Sequence, residues 1–235
     1  MDAPRCTFAL SAFFLAAGLG IAGFFVGNGV SRLRPDHRTV SVKGLSEKEV
    51  PASIAIWTLG YSTAGDTVKE INGNLDTATK TVVAFLKQMG FEEKEIAVQP
   101  PLLNDLSLVP REKDVPPPPI RFTANQSVLL RTAKVDLIKQ ARAASSSLMA
   151  SGVQLSSRME PNYLFNRLND IKPGMIQDAT KNARIAADQF ARDSQASLGK
   201  LRHASQGWFQ VENRDPATPE QKVVRVVVDV QYEVK

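Results

Sequence analysis

The sequence has one cysteine and two histidines among its 235 residues. The cysteine, Cys6, lies near the N-terminus, so the rest of the chain cannot form an internal disulfide. His37 and His203 are far apart, and no H-x-x-x-H, H-E-x-x-H or C-x-x-C pattern occurs. Because ordinary zinc sites use such spacings, the sequence predicts no metal site.

The common catalytic and phosphate-binding motifs are also missing. The sequence contains no Walker loop and no G-x-S-x-G nucleophile elbow. His203 is the one histidine within residues 38–235, and Trp57 and Trp208 lie within predicted strands. We interpret His203 as a structural or surface residue and the two tryptophans as core or strand-edge packing. We therefore predict no catalytic, cofactor-binding or metal-binding residue, and a protein that is not an enzyme.

Aromatic residues make up only 7% of the sequence, and the basic residues are scattered along it. The net charge is +5, but no cluster of lysine and arginine accompanies it. Nucleic-acid binding normally needs such a clustered basic surface. We therefore predict no nucleic-acid partner.

Residues 8–26 form the one long uncharged and mostly apolar run. Its length is close to the roughly 20 residues that a helix needs to cross a bilayer. We predict a membrane anchor within residues 1–31, a linker at 32–37 and a folded domain at 38–235. The alternative is a cleaved signal peptide, although Gly27-Asn28-Gly29 makes a poor cleavage site.

The charges that flank this run favour one orientation. Arg5 precedes it, whereas Arg32, Arg34 and Arg38 follow it. By the positive-inside rule the C-terminal flank would be cytoplasmic.

Two glycine patterns lie within the same run. Gly18, Gly20 and Gly23 match G-x-G-x-x-G, but no βαβ unit follows, so we do not interpret them as a dinucleotide site. Gly23 and Gly27 form a G-x-x-x-G pair that lets two membrane helices approach closely.

A proline-rich segment, residues 115–119, separates two predicted strands. Four successive prolines favour a stiff polyproline II conformation. We interpret the segment as a stiffened loop, and a peptide ligand of the P-x-x-P type is the alternative.

The remaining sequence predicts an α+β fold, with elements in the order ββα-ββα-βα-ββ. Short connections between paired strands predict a mainly antiparallel sheet with helices on one face. The predicted strands are 39–43, 53–61, 95–103, 121–132, 153–159 with a continuation at 163–167, 201–211 and 222–234. The predicted helices are 66–89, 134–151 and 176–198.

The helix at 66–89 has apolar residues at steps of three and four, which predicts one buried face. We expect Asp66 to cap it and Gly90 to follow its end. The expected buried residues are Val68, Ile71, Leu75, Ala78, Val82, Phe85 and Met89.

The helix at 176–198 carries an unusually small-sided face, between a Pro173-Gly174 break and Gly199. Alanine lets a helix pack close to a flat apolar partner, and the valine-rich strand 224–234 offers one. The expected face consists of Ala179, Ala183, Ala186, Ala187, Phe190 and Ala191.

Short patterns that keep their order and spacing resemble the SIMPL-domain family of bacterial envelope proteins, which includes periplasmic immunogenic proteins. The matching residues are Val40-Ser41-Val42-Lys43-Gly44, Val50-Pro51-Ala52, the run from Ala179 to Ala187, and Leu198-Gly199. The match covers roughly residues 38–235. The acidic residue usual after the proline is absent, because Ala52 and Ser53 follow Pro51.

This resemblance implies an α+β fold, an exported domain and no established catalytic residue. It also implies relatives that form rings or channels, and others linked to oxidative or envelope stress. We therefore expect an inner-membrane protein with a periplasmic domain, against the flanking arginines. We expect a non-enzymatic homo-oligomer, and an enzyme or small-ligand binder with an unrecognised site near His203 or Trp208 as the alternative.

Overall fold

The computed structural model describes residues 15–26, 38–109, 116, 119–156 and 160–235. The predicted α+β class with antiparallel strands is confirmed. The strands are β1 Thr39–Pro51, β2 Ile54–Gly65, β3 Ile96–Val98, β4 Leu102–Asp105, β5 Phe122–Thr132, β6 Gln154–Leu155, β7 Asn162–Leu164, β8 Leu198–Gln206, β9 Gln210–Asn213 and β10 Gln221–Val234. The helices are α1 Val68–Gln88, α2 Val135–Ala144, α3 Ser146–Ala150 and α4 Leu168–Asp193, and residues 15–26 are also helical.

The chain forms two compact units. The first consists of Met1–Gly44, Ala183–Ser205 and Asp229–Lys235, and the second of Leu45–Asn182 and Gln206–Val228. Four elements, β1, α4, β8 and β10, therefore contribute residues to both units.

The strands form two sheets rather than the single sheet that we predicted. One has the order β3-β5-β2-β6, with β4 also paired to β5 and β7 to β2. The other has the order β1-β10-β8, with β9 also paired to β10. The chain changes sheet between β1 and β2, where Pro51 has no N–H to continue a ladder. The next two N–H groups bond elsewhere: Ala52 to the Glu220 carbonyl at 2.8 Å and Ser53 to the Leu164 carbonyl at 2.8 Å.

The six-stranded sheet lies wholly within the second unit and holds its apolar core. Helices α1 and α2 pack on its central strands, and every second residue of β2 from Ala55 to Tyr61 is buried. Trp57 and Tyr61 of β2 lie there with Val128 and Leu130 of β5. The Tyr61 hydroxyl is 2.5 Å from Thr79 Oγ1 on α1, so the one polar atom of this buried ring has a partner. Trp57 is therefore a core residue, as predicted.

Most of the predicted buried face of helix α1 is confirmed. Ile71, Leu75, Val82 and Phe85 are buried, but Val68 is 52% exposed. Leu86, which we did not include, is buried.

The N-terminal cap of α1 differs from the prediction, and the C-terminal end agrees with it. The cap is Thr67, whose Oγ1 accepts from Glu70 N at 3.2 Å, and not Asp66. At the other end Gly90 has a φ of +95°, the left-handed conformation that favours glycine after a helix.

The four-stranded sheet has one buried face, which β10 dominates. Val224, Val226, Val228, Val230 and Tyr232, which are alternate residues of the strand, are buried. The opposite face carries polar cross-strand pairs, including Lys43–Asp229 at 3.7 Å and Arg225–Glu47 at 3.4 Å. The predicted end of β1 at Gly44 was wrong, because the strand continues to Pro51.

Helix α4 is longer than we predicted, and it buries a different face. It starts at Leu168 and passes through Pro173 and Gly174. Pro173 lies in the second turn, where its missing N–H removes one helical hydrogen bond. The buried stripe is Met175, Ala179, Ala183, Ala187 and Ala191, with steps of four throughout.

Two residues that we placed on this stripe lie outside it. Phe190 is 60% exposed and Ala186 is also exposed. The steps of three that reach them belong to a neighbouring face of the helix. Asn182 Nδ2 donates to the Leu45 carbonyl at 2.8 Å, so α4 contacts β1, the strand next to β10.

Helix α4 ends at Asp193 rather than at residue 198. Ala196 N donates to the Ala191 carbonyl at 2.9 Å, and Gln195 adopts a φ of +53°. A residue other than glycine in this left-handed position is unfavourable by about 1–2 kcal/mol.

Three further predicted elements are divided. The strand at 201–211 becomes β8 and β9, with residues 207–209 between them. The strand at 95–103 becomes β3 and β4, because Pro100 and Pro101 cannot donate to a ladder. The helix at 134–151 becomes α2 and α3, which meet at Ser145. There the Ser145 and Ser147 hydroxyls donate to helix carbonyls, and such bonds compete with helix continuation.

The predicted anchor lies partly outside the described residues. Residues 15–26 are helical, and every one of them is exposed. Within the described part of the chain, no helix combines the length and apolar character that crossing a membrane requires.

Candidate functional site

Strand β8 is the most exposed long strand of the protein. Leu198 and Gly199 are partly buried, and the seven residues that follow are exposed, so neither face of the strand covers a core. Within the described ranges it pairs along one side only, with β10. An edge strand of this length offers a row of unpaired backbone groups to another strand.

The side chains of β8 combine one apolar group with several positive ones. Leu201 is 52% exposed, between Lys200 and Arg202. The Arg202 guanidinium bonds Glu233 Oε1 at 2.5 Å across the strand pair. The strand is therefore fixed to β10, while Leu201 and Lys200 remain available to a partner.

Gly199 allows the start of β8 to lie very close to β10. A Cβ built at Gly199 would be 2.8 Å from the Glu233 Cβ and 3.2 Å from the Glu233 carbonyl oxygen. Only glycine permits this approach, which gives a physical role to one residue of the Leu198-Gly199 pair.

The loop after β8 exposes an aromatic residue. Trp208 is 93% exposed, so it is not packed into a core as we had considered. Its neighbour Phe209 is partly buried, with Lys172 Nζ at 5.7 Å from the ring centroid. Exposed tryptophans are enriched at protein contacts, and this one forms no part of the folded core.

A shallow cleft of about 200 Å³ contains His203, which sequence reasoning left without a partner. Its polar lining also includes Ser41 and Lys43 of β1 and Asp229 and Gln231 of β10, and Val42 and Val230 line it as well. A histidine and an aspartate in one cleft are groups that take part in acid–base chemistry.

An ion pair with a buried carboxylate lies in the second unit. Glu220 is 6% exposed, and the Lys139 ammonium contacts its carboxylate. Burial raises the pKa of Glu220, but the hydrogen bond and charge of Lys139 outweigh it and hold that pKa below its usual value. Burial also raises the pKa of the nearby Tyr163 phenol, and the negative charge of Glu220 adds to that rise.

This ion pair holds the chain at the change of sheet. The Glu220 backbone carbonyl accepts from Ala52 N, while its side chain bonds Lys139 of α2. The pair therefore connects the β1–β2 junction, α2 and the start of β10, and we assign it a structural role. Next to it, Lys222 is 7% exposed, contacts Asn213 Oδ1 and has a pKa lowered by burial.

No group of three or more His, Cys, Asp or Glu side chains suited to a metal ion occurs in the described part of the chain. Cys6 and His37 lie outside that part, as does most of the proline-rich segment 115–119. The predictions for these residues stay untested.

Comparison with known proteins identifies one family. A family model described as "SIMPL: Protein of unknown function (DUF541)" matches residues 40–232. No curated protein matches the chain. The match spans most of the sequence and includes β8, α4 and β10, the elements that carry the exposed edge and the buried alanine stripe.

Proposed function

The chain belongs to the SIMPL family, and from that premise we propose that it is a non-enzymatic, membrane-anchored envelope protein whose domain self-associates or contacts envelope partners. The domain at 38–235 faces the periplasm, and residues 8–26 hold it to the inner membrane. A soluble periplasmic form after signal cleavage is the alternative. A role in envelope or oxidative stress defence rests on the family resemblance alone.

The exposed character of residues 15–26 supports the anchor. Leu15, Leu19, Ile21, Phe24 and Phe25 are each at least 60% exposed. Leaving large apolar side chains in water is unfavourable by roughly 1.5–3 kcal/mol each, so such a segment favours a lipid or protein environment.

The exposure of strand β8 is the observation that supports self-association. Its open side and its two exposed faces leave a nine-residue strand with few interactions beyond its ladder to β10. A strand from a second copy would satisfy the unpaired backbone groups and cover Leu201.

The experiment that tests this half compares two exposed leucines. Leu201→Glu places a charge in the proposed contact, whereas Leu108→Glu makes the same change at a 79% exposed residue in a different segment. We expect sedimentation velocity to show a smaller assembly for Leu201→Glu only. If both variants sediment as the wild type does, β8 is not the contact.

The experiment that tests the anchor is fractionation of cells with protease accessibility. We expect the full chain in the membrane fraction, and we expect protease to cleave the domain only when it is added to the periplasmic side. Cleavage from the cytoplasmic side alone would reverse the proposed orientation and agree with the flanking arginines.

The cleft around His203 favours a second candidate function, a small-ligand binder or enzyme. Its support is the pairing of His203 with Asp229 and Lys43 in one cleft. A His203→Gln variant with unchanged binding of every compound in a metabolite screen would remove this candidate.

A further inference from the structure

A separate surface pocket of about 280 Å³ lies beside the change of sheet, within the second unit. Its apolar lining includes Val50, Phe165 and Ile171. Its charged lining consists of Lys48, Arg167 and Asp170. An apolar pocket with a few convergent polar groups is the usual form of a small-molecule site, and this volume lies just below the usual range of about 300–1,000 Å³.

Lys48 brings to the pocket a positive charge that has no carboxylate partner among the described residues. The carboxylates on either side of it in sequence, Glu47 and Glu49, form ion pairs with Arg225 at 3.4 Å and Arg214 at 3.5 Å. No carboxylate of the described residues lies within ion-pair distance of Lys48 itself. Its ammonium is therefore available to a ligand.

Arg167 is only partly used by its neighbours. Its Nε donates to Asp170 Oδ2 at 2.9 Å, which leaves both Nη groups without a partner among the described residues. Two cations and one carboxylate give the pocket lining a net charge of +1.

Ser53, which also lines the pocket, is already occupied. Its hydroxyl donates to Asn166 Oδ1 at 2.6 Å and accepts from Asn166 N at 2.9 Å. The pocket therefore offers Lys48 and the Arg167 Nη groups as its free donors.

We propose that this pocket binds a small organic carboxylate with an apolar body. The carboxylate lies between the Lys48 ammonium and the Arg167 guanidinium, which form charge-assisted hydrogen bonds with it. The apolar body covers Val50, Phe165 and Ile171. The excess positive charge excludes an organic cation of the same shape.

The test uses the full chain in detergent and follows the fluorine NMR linewidth of 4-fluorophenylacetate, with a protein-free detergent sample subtracted. We expect saturable broadening that unlabelled phenylacetate reverses. The neutral analogue 4-fluorophenethyl alcohol has the same ring without the carboxylate, and we expect it to bind at least about tenfold more weakly. Equal binding of the two compounds would overturn the proposal.

The variants Lys48→Gln and Arg167→Gln locate the site. Each should weaken 4-fluorophenylacetate binding by about tenfold, since each removes one charged donor. Lys80→Gln is the matched control, because Lys80 is an exposed lysine on α1 outside the pocket, and it should bind as the wild type does.

Two control measurements distinguish a loss of ligand binding from unfolding and from a change in self-association. Thermal melting must show that each variant is folded, and sedimentation must show that its assembly is unchanged. Folded variants that both retain wild-type affinity would overturn the proposal, as would the absence of any saturable broadening. Neither result bears on the role proposed for β8.

Discussion

The alanine stripe of α4 makes the sharpest test of how this fold is packed. Ala187 has no exposed surface, and the residues one turn away on each side, Ala183 and Ala191, are 0% and 2% exposed. Leucine at this position adds three carbon atoms where the side chain already has no accessible space. Either the helix moves away from what it covers, or the leucine adopts a strained rotamer.

The expected size of the effect follows from that close packing. Overpacking a filled core destabilises proteins by about 1–3 kcal/mol. In a chain of this length, each kcal/mol lowers the melting temperature by roughly 2–4 °C. We therefore expect Ala187→Leu to lower the melting temperature by about 2–12 °C.

The assay is thermal unfolding followed by circular dichroism, with Ala186→Leu as the control. Ala186 is the preceding residue of the same helix and is exposed, so the same chemical change should leave the melting temperature almost unchanged. Leucine and alanine also have similar helix propensities. Equal melting temperatures for the two variants would show that the stripe does not face a tightly packed surface.

Three further predictions concern local backbone and charge. Gln195→Gly should stabilise the protein by about 1 kcal/mol in denaturant unfolding, because glycine adopts the left-handed conformation without strain; a loss of stability would contradict this. Gly199→Ala should lower the unfolding midpoint, since its Cβ would be 2.8 Å from the Glu233 Cβ, and an unchanged midpoint would show that β8 adjusts easily. Hydrogen bonds from Thr218 and then Arg214 lower the pKa of Asp215 from 3.8 to about 2. The stabilisation from ionised Asp215 is therefore present above pH 3.8 and is lost as the pH falls towards 2, so Asp215→Asn should be less stable than the wild type at pH 5 and similar to it at pH 2.

Prediction from the sequence succeeded for the elements whose apolar periodicity matches the face that the fold buries. In β10 every second residue from Val224 to Tyr232 is apolar and buried, and Val227 on the opposite face departs from the alternation. Helix α1 repeats at steps of three and four against a sheet, and four of its seven predicted residues are fully buried. In both cases one face is covered and the other is solvated, so the pattern alone determines which residues are inside.

The prediction failed where tertiary contacts decide between equally good local patterns. In α4 the alanines and Phe190 share helical spacing, and the residues that are buried are those at steps of four. Pro173-Gly174 has the composition of a break, yet helix α4 runs through it with one backbone hydrogen bond missing. The division into two sheets depends on the partners of Ala52 and Ser53, which are more than a hundred residues away in sequence.

The residues of the candidate sites could be predicted from the sequence even less well than the fold. Lys48 and Arg167 lie far apart in the chain, and the fold alone brings them to one pocket. The only sequence signal near it was Val50-Pro51-Ala52, in which the proline marks the change of sheet and the expected carboxylate is missing. His203 acquires Asp229 as a neighbour through the pairing of β8 and β10, which no spacing in the sequence indicates.

The proposal that the domain self-associates has one direct measurement, the molar mass of a fragment of residues 38–235. Size-exclusion chromatography with light scattering gives this mass without an assumption about shape, over a range of protein concentrations. We expect a mass that is a multiple of the monomer mass and that falls towards the monomer in Leu201→Glu. A strict monomer at the highest concentration would contradict the proposal.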